Sequence, residues 1–121
     1  MTLSRTFFLI VPAFLLASPP VQAHSVLERA SPAVGSTIRS TPPEISLRFT
    51  EDLEAAFSTL HVIGPDGERA DAGDTRVDER EKRILRASLK SLKPRVYKVM
   101  WRAVSVDTHV TNGDFKFTVT P

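Results

Sequence analysis

The chain has 121 residues, with 16 Lys+Arg against 14 Asp+Glu, a formal net charge of +2 and no cysteine. This length holds one small domain. The lack of cysteine excludes disulfides, redox thiols and thiolate metal sites, and a near-balanced charge without a basic, aromatic-interleaved stripe gives no support to nucleic-acid binding.

Met1 to Arg5 carries one positive charge, and Phe7 to Ala17 is an almost unbroken apolar run too short to span a bilayer. Ser18-Pro19-Pro20 interrupts it, and Val21-Gln22-Ala23 ends in the pattern that signal peptidase accepts. Residues 1–23 therefore read as a signal peptide cleaved after Ala23, which places a domain of residues 24–121 in the periplasm; an uncleaved membrane anchor fits the short, punctuated stretch less well.

Beyond the leader the period is two, the mark of half-buried strands. Ser25 to Glu28 can pair as a first strand, followed by a turn from Ser31-Pro32 through Gly35 and another at Thr41-Pro42-Pro43. Ile45, Leu47 and Phe49 share one face of a strand, and Glu51 to Ala56 forms a helical turn at most. Thr59 to Ile63 and Arg83 to Leu89 read as strands, separated by turn signals at Gly64-Pro65-Asp66-Gly67 and Gly73. The charged stretch from Asp66 to Arg86 reads as a solvated loop and strand edge. Tyr97, Val99, Trp101 and Ala103 share the inward face of the next strand, Asn112-Gly113 carries the strongest hairpin-turn signal, and Phe115, Phe117 and Val119 line a last strand. Short strands at this spacing without an amphipathic helix predict an all-β, seven-stranded antiparallel Greek-key sandwich or barrel, immunoglobulin-like or cupredoxin-like in build.

Three histidines follow the leader: His24, His61 and His109. Cleavage before His24 exposes a free α-amine on the residue that carries the imidazole, and both can close a chelate ring on one metal ion. That amine titrates at about 7.7–8.0 when free, so a metal competes with protons for it. Asp107 and His109 are two apart, which in extended backbone presents a carboxylate and an imidazole on one side. Four N/O donors without sulfur favour Cu(II), and zinc accepts the same atoms less tightly. A D-x-H pair by itself is more often a loop pair with no ligand. His61 lies in a strand-like run and reads as a surface or core histidine outside the site. Glu51 is either a solvated turn residue or a carboxylate that orients a ligand. Trp101 and Tyr97 read as core.

The start His24-Ser25, the segment Ser31-Pro32-Ala33-Val34-Gly35-Ser36, the strand end Leu47-Arg48-Phe49-Thr50-Glu51, and the run from Tyr97 through Trp101-Arg102-Ala103-Val104-Ser105-Val106-Asp107-Thr108-His109 to Gly113 and Phe115-Lys116-Phe117 together resemble the CopC copper-resistance proteins. The resemblance spans essentially all of residues 24–121. It implies a periplasmic copper-binding protein with a Greek-key β-fold and a Cu(II) site made by His24, Asp107 and His109, with Glu51 in contact behind the ligands. Two positions depart from the family pattern. Val110 stands where proline often follows the site histidine, and Met100, the only methionine after Met1, replaces the methionine-rich segment of some members, as in a Cu(II)-only type.

The function expected is therefore a monomeric, non-enzymatic copper binder that sequesters Cu(II) or delivers it to an inner-membrane copper transporter. Two rivals belong to other classes. A copper-dependent oxidative enzyme can use an amine-imidazole brace, but Asp107 would then fill a position that O₂ needs. A metal-free sandwich module would pair through its edge strands.

Overall fold

The computed structural model describes Pro12 and residues 26–121. The expected signal peptide and His24 lie outside the described residues. Eight strands follow in chain order: β1 (Leu27–Ser31), β2 (Thr37–Ile38), β3 (Glu44–Phe49), β4 (Thr59–Ile63), β5 (Arg76–Val77), β6 (Ile84–Ser88), β7 (Val96–Val104) and β8 (Val110–Val119). They form two four-stranded sheets, ordered β1-β3-β6-β5 and β2-β8-β7-β4, and no helix occurs among the described residues. The molecule is an all-β sandwich.

Two details differ from the seven antiparallel strands expected. Eight strands occur among the described residues, and two of them, β2 and β5, are two-residue pairings too short to register as periodicity. One pairing is parallel: Thr37 and Ile38 lie beside Thr118 and Val119 of β8 after the chain crosses from one sheet to the other.

The alternation fixes the core. Ile45, Leu47 and Phe49 of β3 and Leu85 of β6 are fully buried and face Leu60 and Val62 of β4 and Val99 and Phe117 of the β7–β8 pair. Burying side chains of this size contributes about 1.5–3 kcal/mol each, the main stabilisation available to a chain without disulfides. Tyr97 stacks on Phe117 with centroids 5.5 Å apart, and its hydroxyl donates to the Lys93 carbonyl at 2.8 Å. Trp101 meets Phe49 edge-on at 5.0 Å.

Asn112-Gly113 is not a turn. Both residues lie within β8, opposite Arg102 and Trp101, and the reversal comes earlier, where Ser105 N–H donates to the His109 carbonyl at 3.0 Å and Thr108 N–H to the Ser105 carbonyl at 2.9 Å. Glycine at 113 answers a packing need: a Cβ there would sit 2.3 Å from Cζ2 of Trp101. The charged stretch after Asp66 does form a solvated edge. There Arg86 pairs with Glu44 at 2.7 Å and Asp78 at 3.0 Å, and Arg76 with Glu44 at 2.8 Å.

Candidate metal centre

Within the β7–β8 connection, Ser105 and His109 flank a three-residue loop, Val106-Asp107-Thr108, closed by the two hydrogen bonds around Ser105. Such loops end in a residue with left-handed backbone, and Thr108 takes that place with φ of 69°. This is an uncommon conformation for a β-branched side chain and a local strain that the flanking strands hold. The turn, rather than strand alternation, brings Asp107 and His109 together: Oδ2 of Asp107 lies 3.2 Å from Nδ1 of His109. With Nδ1 turned to the carboxylate, Nε2 is the ring's other donor atom.

Ser105, which spacing alone did not single out, completes this arrangement. It is fully buried, and its hydroxyl donates to Oδ1 of Asp107. That hydrogen bond above all, together with the adjacent His109 ring, outweighs desolvation and holds the Asp107 carboxyl below its ordinary range. The carboxylate therefore stays charged and aligned, as a cation-binding group requires. The only sequence signal for Ser105 was its place in the closing motif.

The neighbouring segment is fixed to the same end of the sandwich. Leu53 bridges to Ser105, Glu54 N–H donates to the Val104 carbonyl at 2.8 Å, and Val106 N–H donates to the Asp52 carbonyl at 3.0 Å. Ser58 accepts from Val104 N–H at 3.1 Å. Glu51 is partly buried in this segment, but its carboxylate makes no hydrogen bond or ion pair among the described residues. Val26 enters here too, its N–H donating to Thr50 Oγ1 at 3.0 Å and its carbonyl accepting from Thr50 N–H at 3.0 Å. His61 stands apart on β4, opposite Met100. Among the described residues no group of three His, Cys, Asp or Glu side chains converges; the pair Asp107 and His109 is what the structure assembles.

Residues 27–120 match the family model described as CopC domain. The chain is 34% identical over 117 residues to Protein YobA of Escherichia coli K12, covering 96% of this chain and 94% of that one. It is 36% identical over 129 residues to Copper resistance protein C of Pseudomonas syringae pv. tomato, covering 98% of this chain and 99% of the relative. The crystal structure of CopC from Methylosinus trichosporium OB3b superposes with a TM-score of 0.75 at 28% identity, over 81% of this chain and 95% of that one. With a sandwich of this topology and a family match over nearly all the described residues, the chain belongs to the CopC family of copper-resistance proteins.

Proposed function

We propose that this protein is a periplasmic Cu(II) binder, exported by cleavage after Ala23, in which the His24 amine and imidazole, Asp107 and His109 hold one ion. The observation that carries this reading is the joining of Asp107 and His109 by a strained turn at the end of the sandwich where Val26 is anchored. Val26 follows His24 by two residues in the sequence, and its anchoring at that end is what favours His24 as the further ligand in this reading. The donors are nitrogen and oxygen only, the set that Cu(II) takes in tetragonal geometry. Copper is cargo in this reading. The domain acts as a monomer without catalytic turnover, and it sequesters the ion or passes it to an inner-membrane transporter.

The test is a Cu(II) titration of protein processed in the periplasm, its terminus verified by intact mass, beside a form with one extra residue before His24. Tight one-to-one binding that collapses on extension, and that weakens by orders of magnitude in His109→Ala, is the expected result. Equal binding by parent and His109→Ala would overturn the assignment. Affinity should also fall as pH drops, because protons compete for the amine and both imidazoles.

A further inference from the structure

Cations are spread unevenly over this molecule. On the β1-β3-β6-β5 sheet, Arg48, Arg76 and Arg86 each pair with carboxylates. At the end of the sandwich where the β6–β7 connection runs, Lys90, Lys93, Lys98 and Lys116 are all exposed, and among the described residues none of the four forms an ion pair. Two adjoining clefts collect them: Lys90 and Lys93 line one, Lys98 and Lys116 the other, and Gly64 lines both.

The carboxylates nearby do not neutralise this set. Asp66 is held by Arg95 at 3.3 Å and Asp71 by Arg69 at 2.6 Å, which leaves Glu68 as the uncommitted carboxylate of the first cleft. Asp114, two residues before Lys116 on β8, makes no ion pair among the described residues. Lys98 stands directly opposite Lys116 across β7 and β8, an arrangement of like charges that costs stability in a sheet. An anion placed against both relieves that cost.

The side chains between the lysines select the kind of anion. Outward residues on β7 run Val96, Lys98, Met100, and the two apolar ones are 45% and 40% exposed. Apolar groups interleaved with cations are the composition of surfaces that lie in the interface of a bilayer. Lysine is the matching cation, a point charge on a flexible stem that follows a fluid array of phosphates, whereas a fixed carboxylate on a protein is better met by the rigid fork of arginine. The opposite end has the opposite sign. Asp52, Glu54 and Asp107 lie on or against the β7–β8 turn, separated from Val96 by the nine residues of β7, roughly 30 Å. A negatively charged surface therefore attracts the lysine end and repels the turn.

We propose that this end of the sandwich docks on an anionic phospholipid bilayer, with Lys90, Lys93, Lys98 and Lys116 against the headgroup phosphates and Val96 and Met100 entering the interface. Docked in this way, the molecule holds the Asp107 and His109 turn away from the membrane. The inference does not depend on the Cu(II) reading above.

The test is co-sedimentation of the protein with vesicles of phosphatidylglycerol and phosphatidylethanolamine at low ionic strength, beside vesicles of phosphatidylcholine alone. Binding to the anionic vesicles only, released by high salt, is the expected result. Lys98→Gln and Lys116→Gln should each weaken it about fivefold, the usual effect of one lysine near an anionic surface. Arg80→Gln removes the same charge from an exposed position between β5 and β6 and should leave binding unchanged. Spin-labelled headgroups should broaden the Met100 methyl signal in NMR and spare the His109 ring. Failure to sediment with the anionic vesicles, equal sedimentation with phosphatidylcholine, equal losses in Arg80→Gln and Lys98→Gln, or broadening centred on His109 would each overturn the proposal. So would a preference for soluble polyglutamate over the vesicles, the result that an acidic protein partner predicts.

Discussion

The Ser105 hydroxyl is buried beneath the β7–β8 turn and donates to Asp107, so it acts on the candidate site through the carboxylate it holds. Removing it in Ser105→Ala takes away the largest influence that keeps the Asp107 pKa low. The pKa should therefore rise toward the ordinary carboxylate value, as followed by the Asp107 side-chain ¹³C signal in a pH titration of metal-free protein. Copper affinity should fall by about tenfold, the usual effect of losing a group that orients a ligand. An unchanged Asp107 titration would remove Ser105 from the site. At this scale the sequence was only partly legible. It named Asp107 and His109 but attributed their approach to strand alternation, because a left-handed threonine at 108 carries no sequence signal; a glycine there would have marked the turn.

β7 and β8 form the longest pairing in the molecule, from Val96 opposite Thr118 to Val104 opposite Val110, and Gly113 decides how this hairpin meets the core. Asn-Gly is a strong local turn signal, yet the Trp101 ring occupies the space a side chain at 113 would need. Packing overrode the local preference. Gly113→Ala should push the indole away from Phe49 and cost about 1–3 kcal/mol, as overpacking does. Urea unfolding read by Trp101 fluorescence measures both effects, and a variant with parental stability and emission would show that the ring has room. The inward residues of both strands were legible because alternation survives whatever the turn does. The turn's position was not, since it depends on a contact between residues twelve apart in sequence.

Across the whole molecule, the segment after β4 straps one sheet to the other. Asp71, almost completely buried, accepts from Val62 N–H of β4 at 2.9 Å and from Gly73 N–H at 3.1 Å, and pairs with Arg69 at 2.6 Å. It also bridges to Leu89 beyond β6. Burial would raise the Asp71 pKa, but the Arg69 hydrogen bond and the two N–H donors outweigh it and leave the carboxyl below its ordinary value. A depressed folded pKa means stabilisation that is complete above the ordinary carboxylate range and is lost as pH falls through the lowered value. Asp71→Asn should therefore destabilise by about 2–3 kcal/mol at neutral pH, and the gap between variant and parent should narrow on acidification. Urea unfolding at neutral and acidic pH checks this, and a gap independent of pH would refute it.

By itself the sequence determined the all-β class and the inward-facing core residues of the main strands, because burial of one sheet face imposes a period of two that any sandwich of these strands must obey. It also supplied the proposed copper ligands as chemistry, from donor type and spacing. Tertiary structure alone decided which turn presents Asp107 to His109, that Ser105 stands behind them, that Asp71 closes the edge between the sheets, and that Lys98 and Lys116 face each other across β7 and β8. Each of these is a relation between residues on different segments or in unusual backbone, and no local pattern encodes it. Only register and packing, fixed once the two sheets close, bring such groups together.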